Sequence, residues 1–262
     1  MLILAIETST LTGSIALMET PLPKGELSFG EKILGETTLN IAATHSARLM
    51  PVIDSLLRET SRSIHEVQGI VLGLGPGSFT GLRIAASTVK GLAYALRVPV
   101  VGVPTLDGLA QNVRYASTLV CPILDARKKE VYAALFRGNG EGRLVKVSED
   151  WVLAPEVLAS RISEKTIFLG NGLEPYGEMM GARLGSLALF APPEFSLPRA
   201  ANLARLSLTK FKKGLTLDPF SFTPIYLRRS EAEIHSEKKG KKVESGMENE
   251  EPSLGWGFGS RS

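Results

Sequence analysis

Cysteine is almost absent from this chain of 262 residues: Cys121 is the only one. No internal disulfide can form, and the composition fits a reducing, cytoplasmic setting. Its place in the apolar run STLVCPIL reads as a buried, inert thiol rather than a nucleophile. Histidine is nearly as scarce. His45, His65 and His235 include no pair at the i, i+4 spacing that puts two ligands on one helix face, and the position four after His45 is Leu49. His45 reads as a structural residue or a leftover ligand at the start of a helix capped by Thr44 or Ser46. No apolar run is long enough to span a bilayer. The opening MLILAIETST has no basic leader and stops being apolar at Glu7, so it reads as a core strand and not as a signal peptide. A net charge of +3 does not announce a nucleic-acid binder.

Several catalytic signatures are also missing. In GIVLGLGPGSFTGLR an apolar run enters Gly75, Pro76, Gly77 and Ser78, and a helix follows. That is strand–turn–helix geometry of the kind that holds phosphates, but no GK[ST] ends it. Pro76 and Thr80 stand where a G-x-S-x-G nucleophile elbow needs glycines. The glycine spacing is one residue too long for a dinucleotide fingerprint. Two readings of Gly75, Gly77, Ser78 and Thr80 stay open: a vestigial phosphate turn, and a purely structural turn with Ser78 or Thr80 as helix cap. The second is favoured.

What the chain does contain is an alternation of strands and helices. Residues 2–19 predict a β-hairpin, EKILGETTLN a third strand, and HSARLMPVIDSLLRET a helix interrupted early by Pro51. In that helix Leu49, Ile53 and Leu56 point to a core while Met50, Val52 and Leu57 look elsewhere, a stripe too wide for one buried side. A strand, the glycine turn and a helix over 79–96 follow. That helix is rich in small residues, among them Gly81, Ala85, Ala86, Ser87, Gly91, Ala93 and Ala95. Then VPVVGVPTLDGLAQN predicts a strand and a short helix capped by Thr105 or Asp107.

The plan then repeats. VCPILDARKKEVYAALF is a second hairpin with Asp125 where the first has Glu7. KTIFLGNGLEPYG is a second strand entering a glycine turn, and PRAANLARLSLTKF is a further helix. The repetition indicates two similar α/β domains from a duplication, expected at 1–105 and 106–235. Residues 236–262 carry five basic residues and five glutamates and read as a disordered tail, with Trp256 and Phe258 as its odd features. Two halves that each open on a hairpin with an acid in its turn resemble the actin-like ATPase (ASKHA) fold. A working kinase of that class has an Asp-x-Gly turn, whereas Glu7-Thr8-Ser9-Thr10 has no glycine to let a phosphate approach the backbone.

ILAIETST…GSIAL, THSARLMPVIDSLL, GPGSFTGLRIAASTVKGLAYAL, VVGVPTLDGLA and the closing TPIYLRRSEAE together resemble the bacterial TsaB (YeaZ) family. Glu7 stands where Asp is common in that family, and residues 236–262 have no counterpart. The resemblance implies the actin-like two-domain fold and a chain that is not itself an enzyme. It implies a partner, the paralogue TsaD, which transfers threonylcarbamoyl to adenosine 37 of tRNAs reading ANN codons. TsaE would bind the pair, tRNA would be met through the complex, and ATP or ADP and metal would sit on the partner subunits, with no cofactor on this chain. The implied contact is a helix bundle built here from Leu49, Met50, Val52, Ile53, Leu56, Leu57, Arg83, Ala86 and Lys90. Alone, the chain is expected to form a homodimer through the same helices. The competing readings are an actin-like small-molecule kinase and a metallopeptidase.

Overall fold

A computed structural model describes residues 1–21, 30–40 and 45–228, without the side chains of His45 and Ser46. The expectations for Thr44, the His45 side chain, Ser46, His235 and the tail lie outside the described residues. Two mixed sheets dominate. The first contains β1 (Leu2–Glu7), β2 (Thr12–Glu19), β3 (Lys32–Asn40), β4 (Val67–Gly73) and β5 (Val100–Val103), in the order β3-β2-β1-β4-β5. The second contains β6 (Leu119–Arg127), β7 (Glu130–Ala133), β10 (Trp151–Leu153), β11 (Thr166–Leu169) and β12 (Ala188–Phe190), in the order β10-β7-β6-β11-β12. The short β8 (Phe136–Gly138) and β9 (Leu144–Lys146) extend it off β6.

The two orders are the same, and so are the directions. β1 pairs antiparallel with β2 and parallel with β4, as β6 does with β7 and β11. The hairpin-first halves therefore share one strand-pairing pattern, and the fold is the actin-like one.

Each sheet is buried on both faces because its central strands are apolar at successive positions. In β1, Leu2, Leu4 and Ile6 join a core with α1 (His45–Glu59) and α2 (Phe79–Leu96). Ile3 and Ala5 face the other way, against α6 (Ala200–Lys212). In the second sheet Val120 and Leu124 pack on α3 (Thr105–Ala110), and Cys121 and Ile123 pack towards α4 (Pro155–Ser160) and α5 (Leu173–Leu184). Cys121 is buried as expected, and burial pushes its thiol far above the usual range.

The helices do not follow the sequence halves. α3 comes after the last strand of the first sheet but packs on the second, while α6 comes late and packs on the first. The two meet where a Cβ on Gly108 would lie 2.5 Å from Leu203 Cδ2. Asn202 Nδ2 donates to Gly108 O at 3.1 Å and to Asn112 Oδ1 at 2.7 Å across this contact. The start of α6 is tied to the first sheet by Glu36, which accepts from Ala201 N at 3.0 Å and Ser14 Oγ at 3.2 Å and pairs with Arg199.

Two local expectations change. Leu57 is buried with Leu49, Ile53 and Leu56 in the core that α1 shares with α2 and the first sheet. Neither Thr105 nor Asp107 caps α3: its N-cap is Pro104, without a side-chain cap bond. Both polar groups are used elsewhere, Asp107 by Lys146 at 2.7 Å and Thr105 by Glu7.

Candidate functional site

The glycine turn lies between the end of β4 and the start of α2. Ser78 is the N-cap, its Oγ accepting from Gly81 N at 3.3 Å. Thr80 is exposed on the first turn of α2. Gly75 has φ +97, a conformation that disfavours any side chain, and its carbonyl accepts from Thr105 N at 2.8 Å. Gly77 is required by a close approach: a Cβ there would stand 2.2 Å from Ser9 O. That same carbonyl accepts from Ser78 N at 2.5 Å, and Thr8 Oγ1 donates to Gly81 O at 2.9 Å.

The chain's own Glu7–Thr10 turn thus sits on the glycine turn. The Ser78 amide, placed where a phosphate loop would present its donor, is already engaged by a protein carbonyl.

Glu7 lies behind this contact and is 1% exposed. Its Oε1 accepts from Ser9 N at 2.7 Å and its Oε2 from the Thr105 hydroxyl at 3.2 Å. Room for the carboxylate exists because residue 73 is glycine, where a Cβ would fall 2.3 Å from Oε2. Burial pushes the Glu7 carboxyl above its usual range, and the hydrogen bonds from Ser9 and Thr105 pull only part of the way back. The second half repeats the arrangement in an open setting. Asp125 Oδ1 accepts from Arg127 N at 2.8 Å, and Asp125 N donates to Asn171 Oδ1 at 3.1 Å. Between the first hairpin turn and the β11–α5 turn lies a cleft of about 360 Å³ lined by Thr10, Leu11, Asn171, Glu174 and Ser196. Among the described residues there is no group of three or more His, Cys, Asp or Glu side chains placed to share a metal ion.

The helical set expected to bind a partner divides in two. Leu49, Ile53, Leu56, Leu57 and Ala86 are buried in the chain's own core. Met50 is 46% exposed, Arg83 is exposed, and Val52 and Lys90 are half-buried. On α2 the outward residues Thr80, Arg83, Ser87, Gly91, Tyr94 and Ala95 form one stripe, and nothing lies within 4 Å of a Cβ built on Gly91.

Aromatic residues that the helical pattern did not single out edge this stripe. At one end the Arg83 guanidinium covers Phe79 at 3.8 Å, and Phe79 stacks on Tyr226 at 4.7 Å. At the other end Tyr94 and Phe220, 69% and 74% exposed, meet edge to face at 6.0 Å. Lys90 Nζ donates to Phe220 O at 3.4 Å. The repeated aromatics of DPFSFTPIY were the available sequence signal, but only the fold brings them beside α2.

Residues 32–236 match the family model described as TsaD, tRNA N6-adenosine threonylcarbamoyltransferase. The chain is 33% identical to the tRNA threonylcarbamoyladenosine biosynthesis protein TsaB of Bacillus subtilis (strain 168), over 91% of this chain and the whole of that protein. It is 28% identical to the TsaB of Escherichia coli (strain K12), over 88% of this chain and 96% of the other. Among solved structures it is similar to YeaZ from Pseudomonas aeruginosa, with a TM-score of 0.69 and 30% identity over 86% of this chain and 99% of that one. A second crystal structure, of an uncharacterized protein described as similar to peptidase YeaZ from Pseudomonas aeruginosa, gives a TM-score of 0.70 at 31% identity, over 87% of this chain and 99% of that one. With a full-length relative 33% identical and a family model matching residues 32–236, the chain belongs to the TsaB family, within the wider group of TsaD-like proteins.

Proposed function

We propose that this chain takes part in forming N6-threonylcarbamoyladenosine at position 37 of tRNAs reading ANN codons, as a non-catalytic scaffold that binds and activates a catalytic TsaD subunit. The observation that carries this reading is the closed glycine turn: the Ser78 amide is bonded to Ser9 O while the neighbouring α2 stripe is left open around Gly91. A phosphoryl-transfer site needs the first group free, and a docking helix needs the second exposed. On this reading ATP or ADP and metal belong to the partner subunits, TsaE joins through the pair, and tRNA is met in the assembled complex. The docking face consists of Met50, Val52, Arg83 and Lys90 with the exposed residues of α2. The buried leucines hold α1 in place. The same face would close a homodimer when the partner is missing, in the cytoplasm where tRNA is modified.

The test is reconstitution of the modification from purified subunits and tRNA. Product is expected only with this chain present. Met50→Glu and Arg83→Glu should lower the yield while leaving the fold intact. Full yield without the chain, or phosphoryl transfer by the chain alone, would overturn the proposal.

A further inference from the structure

Glu7 is a buried carboxylate with no cation beside it among the described residues. β4 has no ionisable side chain, β2 has only Glu19 at its far end, and Arg83 of α2 is exposed and stacked on Phe79. The acid of α3, Asp107, is held by Lys146. A carboxylate without a counter-ion costs stability unless donors surround it. Those donors come from two places that sequence separates widely: Ser9 N in the first hairpin turn and Thr105 Oγ1 at the start of α3.

Each donor leads onward. Ser9 O holds Ser78 N, and Thr8 holds Gly81 O, so the hairpin turn fixes the first turn of α2. Thr105 N holds Gly75 O, and its neighbours Leu106 and Leu109 belong to the core of the second sheet. The hairpin turn that holds the start of the outward helix and the first helix of the other half therefore meet on one side chain.

We infer that Glu7 is a positioning residue for the α2 face, coupling the start of α2, through Ser9 and Thr105, to the placement of the second sheet. The functional weight of that face rests on the proposal above, but the coupling itself is a property of this chain. The hairpin turn that holds the start of α2 and the first residue of α3 both bond to one carboxylate, which supplies a physical link that mere proximity does not.

The experiment is amide hydrogen exchange on the full chain, with Thr105→Val, the conservative Thr105→Ser, and Glu7→Gln. Thr105→Val is expected to speed exchange at Ser78, Gly81 and Leu82 by about tenfold, with Val89 to Ala93 unchanged. Thr105→Ser keeps the hydroxyl and should restore slow exchange. Thr105→Val with Glu7→Gln should be no faster than the faster single variant, because both cut one link. Uniform acceleration along α2, failure of the serine variant to restore protection, or additive effects would overturn the inference and leave Glu7 a merely structural residue. Affinity for the TsaD partner is the second readout. Equal affinity of the wild type and Thr105→Val, with exchange accelerated, would also overturn it. Local acceleration as expected, in a chain whose wild type does not bind a folded TsaD, would support the coupling and sink the scaffold proposal instead.

Discussion

Gly77→Ala is the sharpest test of the closed turn. One methyl group is added, yet it has no flexible neighbour to displace. The new Cβ would lie 2.2 Å from Ser9 O, 2.9 Å from Ser9 C and 2.7 Å from Ser9 Cβ. Backbone must move, and the backbone that moves carries the 2.5 Å bond to Ser78 N. Overpacking of this kind costs about 1–3 kcal/mol, and the loss of the hydrogen bond adds about 1 kcal/mol. The expected total is about 2–4 kcal/mol. For a folded body of this size that lowers Tm by roughly 4–16 °C.

Gly91→Ala is the internal control: the same methyl, on α2, with nothing within 4 Å of it. There alanine removes the backbone freedom of glycine in a helix and should stabilise by about 0.5–1 kcal/mol. Urea denaturation of the three proteins, read as midpoints at constant slope, gives both numbers. A cost below about 0.5 kcal/mol for Gly77→Ala, within the range of a neutral surface change, would refute the claim that the hairpin turn presses on the glycine turn.

Further outcomes follow from other residues. Ile53 is 1% exposed in the core under α1, so Ile53→Ala should cost about 2–5 kcal/mol in denaturant unfolding. Ile53→Glu should abolish folding, whereas Met50→Glu on the exposed side should leave Tm near the wild-type value by circular dichroism. Glu36→Ala removes the acceptor for Ala201 N, Ser14 Oγ and Arg199. It should cost about 2–3 kcal/mol and free the start of α6, seen as faster exchange at Ala200 and Ala201. For Glu7 the sign is set by its raised carboxyl: between the unfolded and folded values the native state binds more protons than the unfolded one. Stability relative to Glu7→Gln is therefore expected to fall as pH rises from about 4.5, the ordinary glutamate value. Paired denaturant midpoints at a series of pH values check this, and a difference that grows in the opposite direction would contradict it.

Elements set by local chemistry were legible in the sequence. The α2 boundaries, Phe79 to Leu96, follow from the Ser78 cap and the small-residue run. Both hairpins follow from apolar strands around polar turns. Features set by distant contacts were not. α3 and α6 exchange sheets, and no periodicity within either helix says which sheet it will cover. Glu7 reads as the start of a polar turn, and its complete burial depends on Gly73 and Thr105, far along the chain. Leu57 was expected to face outwards because the stripe on α1 looked too wide for one core. It is buried in the same core instead, so the exposed face of α1 is narrower than the hydrophobic pattern implied. On α2 the reverse happened: small residues marked the stripe, and Phe79, Tyr94, Phe220 and Tyr226 at its ends emerged only from the fold.

The measurement that bears most directly on the scaffold reading is a calorimetric titration of the folded TsaD paralogue with wild type and Ser87→Glu. Ser87 is exposed in the middle of the α2 stripe, so the variant should keep the wild-type Tm. The account predicts a saturable one-to-one association for the wild type and an affinity at least about tenfold weaker for Ser87→Glu, the effect of an unpaired charge pressed into an interface. Equal affinities for the two proteins, or no association of the wild type with a folded partner, would contradict it.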